Sequence, residues 1–133
     1  MDIKSLAKLG VVVGIVMNVL DFVVQGNLMA GVFAGSPAFR NTGEVIPYLV
    51  LGDFVAAFVF AWAYLKLGVA TGPGAGGGAR FGGYAGVLVA FPTYIFMNLL
   101  INNYPYSIAW MMTIYTIIIY VILGAIAGAL HTR

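Results

Sequence analysis

Four long apolar stretches, at about 6–32, 45–67, 81–101 and 107–130, take up most of the chain. Their apolar residues run continuously rather than alternating, which argues against half-buried strands. Each stretch is close to the ~20 residues that a helix needs to cross a ~30 Å hydrocarbon core. In lipid every backbone N–H and C=O must find its partner within the same segment, so the pattern predicts four transmembrane helices. The expected fold is all-α: a polytopic four-helix bundle that forms one domain over residues 1–133.

The connections carry the turn chemistry. Gly68 to Ala79 reads Gly-Val-Ala-Thr-Gly-Pro-Gly-Ala-Gly-Gly-Gly-Ala. It lacks the GxxxxGK[ST] spacing of a phosphate cradle and is expected to be a flexible linker. Phe33 to Gly43 forms a longer loop, and Asn102 to Tyr106 a tight turn through Asn-Asn-Tyr-Pro. Lys4, Lys8, Lys66, Arg80 and Arg133 fall on one side of the expected membrane, and only Arg40 on the other. By the positive-inside rule, both termini and the glycine-rich connection are cytoplasmic. Lys4 and Lys8 before an apolar run also imitate a signal peptide, with Ala34-Gly35-Ser36 beyond it. An aspartate within that run, Asp21, argues for a retained first helix instead.

Two short repeats suggest an internal duplication. Met17-Asn18-Val19-Leu20 recurs as Met97-Asn98-Leu99-Leu100, and Leu51-Gly52 as Leu123-Gly124. They pair the first helix with the third and the second with the fourth. The arrangement expected is two tandem helical hairpins in the same orientation.

Composition narrows the chemistry. The chain is 62% hydrophobic and 8% charged, against about 25% charged in a soluble domain, and its mean hydropathy is +1.03. The bilayer is therefore the expected partner. The net charge of +2 reads as a topology signal, and no nucleic-acid partner is expected. With no cysteine and a single histidine, His131, disulfides, thiolate metal sites and multi-histidine centres built within one chain are excluded. No metal is expected, and no cofactor can be named.

Two of the four acidic residues, Asp21 and Asp53, lie inside the apolar stretches. A carboxylate at mid-membrane costs roughly 2.5–3.5 kcal/mol on insertion scales, which makes such a residue a functional-site hypothesis by default. Asn18, Asp21 and Gln25 recur at helical spacing on one face of the first helix. Asn98 and Asn102 share a face near the end of the third. Together with Asp53 these residues form the candidate ligand- or ion-binding set, with Arg40 and Glu44 at its entrance. With no cation within the helices, desolvation and mutual repulsion are expected to favour a protonated carboxyl. Three GxxxG pairs, Gly10/Gly14, Gly82/Gly86 and Gly124/Gly128, read as helix-packing positions, within one chain or between copies. Pro92 is expected to kink the third helix. Tyr115 and Tyr120 read as core or lipid-facing aromatics, and no nucleophile–base set points to catalysis.

The pattern resembles a loosely defined group of small bacterial four-helix membrane proteins of unknown function. The resemblance rests on the Asn18/Asp21 first helix, on Leu51–Trp62 in the second, on Phe91-Pro92 to Asn98 in the third, on the Asn103-Tyr104-Pro105 turn and on the small-residue end Leu123–Leu130. It implies a bacterial inner-membrane protein and no assigned chemistry. Small multidrug exporters are similar in size, but they carry a glutamate in the first helix and a weak charge bias. The expected function is non-enzymatic: an outward-facing polar intramembrane pocket that binds or transports a small molecule, an ion or a proton. The alternative is an accessory or scaffold subunit of a larger electron-transfer or photosynthetic membrane complex. A homo-oligomer is compatible with either.

Overall fold

The computed structural model describes residues 2–39 and 43–131. Among these residues there is no strand. Helix α1 covers Ile3–Leu28 and is followed by a short helix, α2, at Ala30–Ala34. The remaining long helices are α3 (Gly43–Thr71), α4 (Gly74–Leu100) and α5 (Tyr106–Leu130). The four long helices run 25–29 residues. At ~1.5 Å per residue each can span the hydrocarbon core with some tilt. The protein is thus an all-α bundle with four candidate membrane spans.

Local chemistry explains the helix ends. The Asp2 carboxylate caps α1, accepting from the Lys4 backbone N–H at 3.1 Å and from Ser5 Oγ at 3.2 Å. After a 3-10 turn at Gly43–Val45, the α-helical part of α3 starts at Ile46 with Pro47 in its first turn, where a missing N–H costs nothing. The tight connection to α4 depends on left-handed backbone at Gly72 (φ 101°) and Gly74 (φ 65°), a region that glycine enters without a Cβ penalty. Asn103 (φ 67°) does the same work between α4 and α5, as the short polar side chain of asparagine allows.

Two of the long helices are interrupted by a widened π-turn, at Val24–Leu28 in α1 and at Phe91–Ile95 in α4. Pro92 accounts for the second, because it has no N–H to donate and its ring pushes on the preceding turn. Side chains satisfy carbonyls at both turns. Asn27 Nδ2 donates to the Phe22 carbonyl at 2.7 Å, and Thr93 Oγ1 to the Val89 carbonyl at 2.6 Å.

The long helices form two sequential hairpins, α1 with α3 and α4 with α5. Helix α5 also touches α1 and α3 and is the central element. In its most apolar stretch 44% of residues are buried, against 11–22% in the other three. One buried cluster joins Leu9 and Val13 of α1, Ala57, Phe60, Ala61 and Tyr64 of α3, and Ile119, Tyr120, Leu123 and Ala127 of α5. A second, at the opposite end from the termini, joins Met29, Tyr104, Ile108, Ala109 and Met112.

In lipid, burying a leucine gains little over leaving it among acyl chains, so close packing must hold the helices together. The α4–α5 seam shows how. Glycines recur every four residues along α4, at Gly74, Gly78, Gly82 and Gly86. A Cβ at Gly78 would collide with the Gly124 carbonyl, one at Gly82 with the Tyr120 carbonyl, and one at Gly128 with the Gly74 carbonyl. The backbones are in direct contact. In the other hairpin, Gly10 and Gly14 receive the rings of Phe58 and Phe54.

This seam corrects one expectation. The glycine-rich stretch is not a flexible linker throughout. From Gly74 onward it is helix, so α4 begins seven residues before Phe81. Each helical glycine costs ~1 kcal/mol against alanine, and backbone contact with α5, which any side chain would prevent, offsets that cost. Helix α1 also stops at Leu28, short of Val32: Met29 (φ −97°, ψ −2°) donates to the Val24 carbonyl and closes the π-turn, and the short helix α2 begins at Ala30.

Candidate functional site

Asp21 is the hub of a polar cluster within the bundle. It lies on α1 one turn before the π-turn, about 10 Å from the helix end at Leu28 by the rise of 1.5 Å per residue. Its Oδ1 accepts two hydrogen bonds, from Tyr115 Oη of α5 at 2.5 Å and from Gln25 Nε2 of its own helix at 2.9 Å. The first is as short as the charge-assisted O–H···O⁻ class, and it joins the two hairpins. Asp53 of α3 lies close enough to Asp21 for the two carboxyls to interact. Among the described residues neither aspartate has an ion-pair partner. Two carboxyls in contact are held together by a shared proton or by a cation between them.

The cluster extends across the bundle to α4. Tyr94, inside the α4 π-turn, neighbours Thr116, and Tyr120 lies near Tyr94. All four long helices thus contribute polar atoms at one level: Asp21 and Gln25, Asp53, Tyr94, and Tyr115 with Thr116. Both π-turns deliver a side chain to it, Gln25 from one and Tyr94 from the other. Such turns recur at functional sites because the extra residue redirects side chains that a regular helix would place elsewhere.

The remaining candidates disperse. Asn18 folds onto its own helix, its Nδ2 donating to the Gly14 carbonyl at 2.9 Å. Asn98 donates to the Tyr104 carbonyl at 2.8 Å and so pins the connection between α4 and α5. Asn102 is exposed and lines a mainly apolar groove of ≈ 400 Å³, together with Val45 and Leu49 of α3 and Met97 of α4. Glu44 is exposed at the start of α3. Arg40 lies outside the described residues. No group of three or more His, Cys, Asp or Glu side chains converges on a metal-sized site among the described residues.

Sequence reasoning passed over Tyr94 and read Tyr115 as packing. A signal was available: a tyrosine hydroxyl in the hydrocarbon region must find an acceptor, and few lie at that depth. With the geometry in hand, comparison with protein-family models, curated proteins and solved structures gives no match for this chain.

Proposed function

We propose that this integral membrane protein is a non-enzymatic binder or carrier of a proton or small cation, with the Asp21–Asp53 pair as its binding element. The observation that supports this most directly is the meeting of two carboxyls from different helices with no basic side chain beside them among the described residues. A cation or a proton is the charge-complementary occupant of such a pair. Tyr115 and Gln25 orient Asp21, while Tyr94 and Thr116 supply further oxygens at the same level. The membrane is the bacterial inner membrane, with both termini cytoplasmic, as the basic residues at that end suggest. The candidate set is thereby narrowed: Asn18 and Asn98 hold backbone, whereas Asp21, Asp53 and Gln25 face the ligand.

The test is infrared difference spectroscopy of the protein in lipid nanodiscs, with pH jumps and with Na⁺ or K⁺ added. A carboxylic-acid band that responds to either, and that Asp21→Asn and Asp53→Asn each remove while circular dichroism stays helical, is the expected result. A pair that responds to neither protons nor cations would sink the proposal and leave the aspartates as interhelical bonds.

A second reading, an accessory subunit of a larger complex, draws on the surface of α3. Ile46, Tyr48, Leu49, Val50 and Leu51 are all exposed, as suits a face covered by lipid or by another subunit. Native mass spectrometry from lipid particles separates the two: co-release with unrelated subunits favours the second reading, a homo-oligomer or monomer the first.

A further inference from the structure

The outer part of α4 differs from the rest of the helix. Up to Ala90, α4 is locked to α5 through glycines whose backbones touch. Beyond the π-turn at Phe91–Ile95 only Phe96–Leu100 remains helical. Of these five residues, Phe96, Met97, Leu99 and Leu100 are exposed. The groove of ≈ 400 Å³ separates this segment from α3, with Val45 and Leu49 on one wall and Met97 and Ile101 on the other. The segment's own polar tie is the bond from Asn98 to the Tyr104 carbonyl.

The other π-turn is a useful contrast. Val24–Leu28 of α1 is followed directly by Met29, buried among Tyr104, Ile108, Ala109 and Met112, so its far side is clamped. The α4 turn has Pro92, a missing backbone bond and little protein on its far side. Kinks of more than ~20° concentrate at such positions, and weakly contacted segments open first.

We infer that Phe96–Leu100 is a lateral gate that pivots about the Phe91–Ile95 turn and widens or closes the groove against α3. The groove stands beside two members of the polar cluster: Asp53 is one helical turn from Leu49 on its α3 wall, and Tyr94 belongs to the hinge of the other wall. Motion of the gate therefore changes access from the bilayer to that level. The inference stands whatever the carboxyl pair binds. A pivot of about 20–30° moves Leu100 by roughly 3–5 Å, given ~10 Å of helix from the middle of the hinge, Thr93, to Leu100.

The chain has no cysteine, so spin labels can be placed at will. One pair replaces Tyr48 and Leu100 across the groove, and a reference pair replaces Trp62 and Tyr84 on the same two helices before the hinge. All four positions are exposed. In nanodiscs the Tyr48/Leu100 pair is expected to show a second distance population, displaced by roughly 3–5 Å, and the reference pair a single one. Deleting Pro92 removes the extra residue of the π-turn and restores the α-helical register beyond it; the second population should then disappear. Asn98→Ala should enlarge it. A single distribution across the groove as narrow as the reference overturns the gate. So does a second population that survives the Pro92 deletion in a folded protein. If the deletion variant does not fold, the two label pairs in the parent and the Asn98→Ala variant decide the matter.

Discussion

Replacing Tyr115 by phenylalanine removes one oxygen atom and keeps the ring. In the folded protein that oxygen donates to Asp21 Oδ1 at 2.5 Å, from α5 to α1. Hydrogen bonds between membrane helices average ~0.6 kcal/mol and reach ~1.7 in measured cases. The short distance and the carboxyl acceptor put this bond at the strong end, so Tyr115→Phe should cost about 1.5 kcal/mol, roughly a tenfold fall in the folded-to-unfolded ratio. Removing the acceptor tests the assignment. In an Asp21→Ala background the hydroxyl has lost this acceptor and keeps only its neighbour Gln25, so Tyr115→Phe should cost much less. Reversible unfolding in bicelles, followed for the parent, both single variants and the double variant, yields the coupling energy directly. A cost for Tyr115→Phe that is the same in both backgrounds would refute the bond as the reason for the loss. The ring's packing would then be the cause.

Other expectations follow from the helix seam and the cap. Gly78→Ala forces a Cβ into the Gly124 carbonyl; overpacking of about 1–3 kcal/mol should outweigh the ~1 kcal/mol gained in helix propensity. Gly76→Ala, two residues away with open space around it, should instead stabilise by about 0.5–1 kcal/mol. The same unfolding assay reads both, and equal effects at the two positions would contradict the α4–α5 contact. Asp2→Ala removes the cap of α1 and should cost about 1 kcal/mol, seen as faster amide exchange in the first turn and nowhere else. Asp21→Asn and Asp53→Asn should each remove the carboxylic-acid signal from the infrared spectrum without loss of helix.

How far the sequence can be read depends on the physics behind each feature. Lipid solvation acts on stretches of about 20 residues and forces internal backbone pairing. Four continuous apolar runs are therefore enough to predict four helices, and the fold class follows without any tertiary information. The short repeats pointed to two tandem hairpins, and α1 does pair with α3 and α4 with α5. Local rules, however, cannot weigh a glycine. By propensity Gly74–Gly78 reads as a linker, and only the backbone of α5 lying against it makes the absence of side chains an advantage. The polar residues behave in the same way. Helical spacing puts Asn18, Asp21 and Gln25 on one face, yet it does not say that Asn18 turns to its own backbone at Gly14 while Asp21 reaches Tyr115.

By itself the sequence determined the fold class, the number of candidate membrane spans and the positions of Asp21 and Asp53 along them, because hydropathy and helix rise act along the chain. Only the tertiary structure decided that the two carboxyls neighbour each other, that Tyr115 bonds to Asp21, and that the glycines of α4 face those of α5. Those contacts depend on how each helix is rotated about its axis. In a helix apolar on every side, as α3 and α5 are, the sequence carries almost no signal for that rotation.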